Sequence, residues 1–164
     1  RYALPWRERP AFAEAAELDW AISTSFDAAD EPAIDAEALA AIAPDAWAGL
    51  RLAPPQHLQW LALHSNVDAF RSAADSGAPR PHLRRRAQPR QLIVWRQGLT
   101  VRYRTLEPTE SALLAAAARG EPFATLCEIA AGHAPPGQAV ARLAVLLRGW
   151  VDAGLIGALQ TSET

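Results

Sequence analysis

Four histidines, His57, His64, His82 and His133, and one cysteine, Cys127, are the side chains of this chain best suited to hold a soft metal ion. Their spacing argues against that role. Protein zinc sites draw on close pairs such as His-x3-His or Cys-x2-Cys, because one turn or hairpin then offers two donors to one ion. Here the ligands are scattered and no His-Glu-x-x-His occurs, so no metal site is expected on the chain. A Gly-x-Ser-x-Gly elbow, a phosphate-binding glycine loop and a dinucleotide fingerprint are absent too. Carboxylates are plentiful, but nothing in the sequence brings two of them to one pocket. The chain is therefore expected not to be an enzyme, with no catalytic residues and no cofactor of its own. Cys127, beside Leu126 and Ile129, is expected as a small core residue.

All 16 basic residues are arginine, and they are unevenly spread. Residues 1–82 hold 12 acidic and six basic side chains, whereas residues 83–164 hold six acidic and 10 basic ones. Guanidinium forms planar bidentate pairs with carboxylates and phosphates, so an all-arginine surface suits an acidic partner. A GC-rich coding bias with Ala-rich helices accounts for the same composition. The densest group, Arg80, Arg84, Arg85, Arg86 and Arg90, lies in a stretch with glycine and three prolines and no apolar periodicity. That stretch reads as a mobile linker whose arginines can meet phosphates.

A chain of 164 residues can bury roughly 70% of its unfolded surface and needs neither disulfide nor metal to fold. No apolar run approaches the ~20 residues of a membrane span, so a soluble protein with no membrane partner is expected. One cysteine excludes an internal disulfide and suits a reducing, cytoplasmic setting. The absence of methionine implies a fragment, a processed chain or part of a longer one.

The elements that must position these groups suggest an α+β fold, with an N-terminal helix and β-hairpin leading into a winged-helix-like module. Pro10 to Ala29 reads as a helix with Phe12, Ala15, Ala16, Leu18, Trp20, Ile22 and Phe26 on its apolar arc. An acidic loop over 27–37 and a short helix capped by Asp35 follow. Leu50 to Leu63 reads as a hairpin turned by Pro54-Pro55, and Ser65-Asn66-Val67-Asp68 resembles a capping box opening a helix to Ala74. The division expected is 1–78, a linker over 79–90, and a module over 91–160.

That module is a hairpin plus three helices. Leu92-Ile93-Val94-Trp95 and Thr100 to Thr105 are its strands, turning at Gln97-Gly98. Pro108, Pro122 and Pro136 fall where helices begin, and Gly120, Gly132 and Gly154 where they end. The third helix has Val140, Leu143, Ala144, Leu147, Trp150 and Val151 on one arc, expected to pack on the hairpin.

A winged helix serves two masters. As a DNA reader it would use its third helix, but that helix exposes only Gln138 and Arg142 on its early turns, thin material for base readout. As a peptide reader it would add an extended peptide to a strand edge by main-chain hydrogen bonds. Val101, Arg102, Tyr103, Arg104 and Thr105 form the candidate acceptor strand, with Gln138 and Arg142 across the groove. Arg102 and Arg104 then meet acidic side chains, or merely protect an exposed edge from aggregation.

A resemblance sharpens this reading. Glu17-Leu18-Asp19-Trp20-Ala21, Phe26-Asp27-Ala28-Ala29-Asp30, Leu50-Arg51-Leu52 with Pro54 and Leu58, Val94 to Leu99, and Leu106 to Leu114 together resemble the C-terminal two-thirds of HvfC-type proteins. The resemblance implies a partner subunit of a multinuclear non-heme iron enzyme that modifies ribosomally made peptides. It implies iron on the enzyme subunit, none on this chain, and a preceding helical domain labelled as DNA-binding. It also implies a PqqD-like element that recognises a leader peptide between a strand and the third helix. Trp20 and Trp60, with Arg84, Arg85 and Arg86, are then the candidate contacts for the enzyme subunit; Trp6 and Trp47 are further large aromatics of the first half. The competing expectation is a DNA-binding transcriptional regulator of winged-helix type.

Overall fold

In a computed structural model, describing residues 9–135 and 137–161, the chain runs through six helices and five strands among the described residues. In order these are α1 (Pro10–Asp27), α2 (Ala36–Ala40), a 3-10 turn (Pro44–Gly49), β1 (Arg51–Ala53), β2 (Gln59–Ser65), α3 (Val67–Ser76), β3 (Arg85–Gln97), β4 (Thr100–Thr105), α4 (Pro108–Ala118), α5 (Phe123–His133), α6 (Ala139–Asp152) and β5 (Ala158–Gln160). Every strand pairing is antiparallel, so the α+β class expected from the sequence holds. Trp6 and the helix start expected at Pro136 lie outside the described residues.

The division of the chain is not the expected one. One compact unit takes the chain up to Ala28 together with Gln59–Leu106, and the other takes Ala29–Leu58 together with the chain from Glu107 on. The hairpin β3–β4 therefore belongs with α1, and the helices α4 to α6 belong with the β1 region. The winged-helix grouping of that hairpin with those three helices is not found within either unit. Likewise Arg85–Arg90, expected as linker, is the first half of β3.

In the first unit the sheet runs β2-β3-β4. Cross-strand partners put Leu61, Leu63, Leu92, Val94, Val101 and Tyr103 on one face, where Leu18 and Ala21 of α1 pack against them. The buried residues of α1 are Glu14, Leu18, Ala21 and Ser25, which share one side at 100° per residue. Phe12, Trp20 and Phe26, expected in the apolar arc, are instead 51%, 72% and 57% exposed. Small Ala21 and Ser25 let the helix lie close to the sheet, and Glu14 is drawn inward by a backbone partner. Its side chain accepts the Ser65 N–H at 2.7 Å, beside the register shift that interrupts the β2–β3 ladder between Leu63 and Ser65.

The start of α3 departs from the expected capping box. Asn66 precedes the helix without capping it, and its side chain works across the chain instead. It donates to the His82 carbonyl at 3.1 Å and accepts from the Arg84 N–H at 2.7 Å, pinning residues 82–84 beside the end of β2. The β3–β4 turn spans Gly98 and Leu99, one residue later than expected, and Gly98 takes φ +60°, which favours glycine.

In the second unit β1 pairs with β5, Leu52 opposite Leu159, and bridges from Arg51 to Pro122. The expected hairpin over 50–63 is thus not a hairpin: β1 pairs with β5, while β2 pairs with β3. Both segments are strands as read, but their partners lie far along the chain. Helix α6 buries Leu143, Leu147 and Trp150 and packs on α5 within its own unit. The Trp150 indole N–H donates to Glu110 at 2.9 Å, so a buried carboxyl and a buried ring satisfy one another.

Replacing Glu14 by alanine leaves the buried Ser65 N–H without its acceptor. Glu14→Ala is expected to lower unfolding free energy by about 2 kcal/mol, measured by urea denaturation, whereas Glu17→Ala on the exposed side of α1 changes it by less than about 0.5 kcal/mol.

Candidate functional site

Among the described residues β4 is an edge strand, since the sheet order leaves it paired with β3 alone. Leu106 donates its N–H to the Gln91 carbonyl at 2.8 Å. Backbone groups alternate in direction along an antiparallel ladder, so Thr100, Arg102 and Arg104 turn theirs toward β3. Val101, Tyr103 and Thr105 turn theirs toward the open side. The row of donors and acceptors that an added strand requires is therefore present.

Side chains grade this edge. Val101 and Tyr103 lie on the face covered by α1, and Arg102 lies on the other face, exposed. Beside Val101, a cavity of about 340 Å³ is lined by Ile22, Ser23, Phe26 and Asp27 of α1. Burial raises the Tyr103 phenol above its ordinary value, with Asp75 adding to the effect, so the hydroxyl stays protonated and donates to Asp75 at 3.5 Å. Arg96 donates to the Phe26 carbonyl at 3.3 Å, tying the end of α1 to β3 next to this cavity.

Val101 to Thr105 sit together on β4, while Gln138, just before α6, and Arg142, on α6, are exposed residues of the other unit. Within its own unit, the helix beside β4 is α1. Trp20, Trp60, Arg84, Arg85 and Arg86 all fall in the first unit, Trp20 and the three arginines exposed and Trp60 half-buried on β2. Ile22 and Phe26 were not singled out as site residues from the sequence. Their signal was weak, since an apolar residue on an amphipathic helix is read as core.

A second concavity, of about 330 Å³, opens between β2, α3 and the pinned segment before β3. Its walls include His64, Asn66, His82, Arg84, Arg86 and Arg90. Among the described residues, no group of three or more His, Cys, Asp or Glu side chains is placed to hold a metal ion. No described helix is long and apolar enough to cross a membrane.

The fold and these sites define an α+β protein with an open sheet edge and a basic concavity. No protein-family model matches the chain, and no curated protein matches it in sequence.

Cys127 is half-buried on α5, and burial pushes its thiol above the usual range, with Glu128 adding to the effect. The thiolate is the reactive form. Modification by a disulfide reagent is expected to be slow at neutral pH and to accelerate only as the pH rises past the ordinary thiol value; rapid labelling at pH 7 contradicts this.

Proposed function

We propose that the chain is the non-catalytic partner subunit of a multinuclear non-heme iron enzyme, and that β4 receives a ribosomally made precursor peptide as an added strand. The observation that carries the peptide half of this reading is the open edge of β4, with the backbone groups of Val101, Tyr103 and Thr105 turned outward beside the cavity of Ile22 and Phe26. The enzyme-partner half rests on the resemblance to HvfC-type proteins, and the iron belongs to the enzyme subunit. Within its own unit the helix flanking the strand is α1, while Gln138 and Arg142, the residues set across the groove by the PqqD-like analogy, belong to the other unit.

The geometry of the edge favours one kind of peptide. Side chains of an added strand alternate between faces. Those on the α1 side enter the cavity beside Val101, where Ile22, Phe26 and Val101 offer apolar contacts and Ser23 and Asp27 polar ones. Those on the other side pass Arg102, where an acidic residue gains a charge-assisted hydrogen bond. Trp20 with Arg84, Arg85 and Arg86 offers aromatic and cationic contacts to the enzyme subunit.

Fluorescence anisotropy with a labelled leader peptide tests the edge. The Val101 N–H points away from β3, so Val101→Pro removes an outward donor without breaking the ladder. Val101→Pro is expected to weaken peptide binding at least about tenfold, while Arg102→Glu weakens an acidic peptide more than its Gln-substituted counterpart. Binding of duplex DNA alone, with a steep salt dependence, would instead make the protein a DNA-binding regulator. Co-purification with the product of the neighbouring gene, followed by iron analysis, tests the partner. Iron carried by this chain alone, with no protein co-eluting, overturns the assignment.

A further inference from the structure

The basic concavity of the first unit is independent of the β4 edge and has a consistent chemistry. Side chains alternate along an extended segment, so His82, Arg84 and Arg86 share one side while Arg85 turns to the other. His82, Arg84 and Arg86 line the concavity, and Arg85 does not. Asn66 holds this run in register through the His82 carbonyl and the Arg84 N–H, and the Asn66 N–H donates to the Arg84 carbonyl at 3.2 Å. From β2 comes His64, whose Nδ1 lies 3.1 Å from the Arg86 carbonyl. A carbonyl only accepts, so Nδ1 carries the hydrogen and Nε2 is left for another partner.

Charge in this concavity is one-sided. Arg90 is committed, donating to Asp68 at 2.6 Å and to the Ser65 carbonyl at 2.9 Å. Neither Arg84 nor Arg86 has a carboxylate partner among the described residues, and no carboxylate lines the walls. Two unneutralised guanidinium groups facing a cavity of about 330 Å³, with two imidazoles beside them, form a site for a compact anion. Donors from two separate arginines, Arg84 and Arg86, suit a tetrahedral dianion better than a planar carboxylate, which two parallel bonds from one arginine satisfy.

We propose that this concavity binds a phosphate group, either as the free ion or on a small phosphorylated molecule. Arg84 and Arg86 contact the oxygens, His64 and His82 flank them, and Asn66 positions the arginine-bearing segment.

Isothermal titration of the intact chain with inorganic phosphate, and separately with a sugar phosphate, tests the proposal at constant ionic strength set by chloride. Saturable binding is expected, falling at least about tenfold in the double variant Arg84→Gln/Arg86→Gln and unchanged in Arg85→Gln, which removes an equal charge per position from the opposite side. Preference for the sugar phosphate identifies a phosphorylated molecule as the source, and equal affinity identifies the free ion. The circular dichroism spectrum of each variant confirms that the fold is kept. The proposal fails if Arg85→Gln loses binding as fully as the double variant, if citrate binds and neither phosphate probe does, or if duplex DNA binds and neither phosphate probe does.

Discussion

The first unit depends on how one interruption in the β2–β3 ladder is satisfied. Between Leu63 and Ser65 the two strands lose register, which leaves backbone groups without ladder partners at a buried position. Two charged side chains take them up. Glu14 reaches from α1 to the Ser65 N–H, and Arg90 reaches from β3 to the Ser65 carbonyl while pairing with Asp68 in the first turn of α3. A single residue, Ser65, is thereby tied to a helix on one side and to a strand and second helix on the other. The hydrogen bond that Arg90 donates to Asp68 raises the guanidinium above its ordinary value, so the charge that makes the junction persists at every working pH.

The candidate surfaces of the first unit lie around this junction. The register shift carries Arg85 and its neighbours out beyond the regular ladder, which is where the arginine-bearing segment meets Asn66 and closes the basic concavity. On the far side of the same sheet β4 is left with an open edge. Charged edge residues are a common protection against edge-to-edge aggregation, and Arg102 is an exposed charge on this edge. Helix α1 shows a similar division of labour. Its inner side is half polar because it serves the sheet backbone, and its outer side carries Phe12, Trp20 and Phe26. Exposed aromatics in such a row provide contact area of the kind that interfaces use.

Local signals determined much of the secondary structure. Pro10 and Pro108 open helices, Asp35 caps α2 by accepting the Ala38 N–H, and Gly120 and Gly154 follow helix ends at positive φ, whereas Gly132, read as a helix end, lies inside α5. The alternation of Thr100 to Thr105 and the run Leu92 to Trp95 are legible as strands because period and β-propensity are properties of neighbouring residues. The candidate strand Val101 to Thr105 was legible for the same reason.

What lies across the chain was not legible. Leu50 to Leu52 and Leu58 to Ala62 read as two arms of one hairpin, yet β1 pairs with β5 and β2 with β3, because strand pairing is decided by distant residues that compete for the same backbone groups. The Arg-rich run read as a linker because glycine and proline flank it, while the Asn66 side chain and the end of β2 that order it lie 16 to 25 positions away. Periodicity set Ala15, Leu18 and Ile22 of α1 on the inward side, as found, but also Phe12, Trp20 and Phe26, which are exposed, and it set Glu14 outward, since it weighs apolarity and knows nothing of the Ser65 N–H awaiting Glu14. The sequence by itself thus determined the elements and the arginine-rich chemistry. Tertiary structure alone decided the division into units, the open edge of β4 and the gathering of His64, His82, Arg84 and Arg86 around one concavity, because each depends on contacts between residues that no local pattern relates.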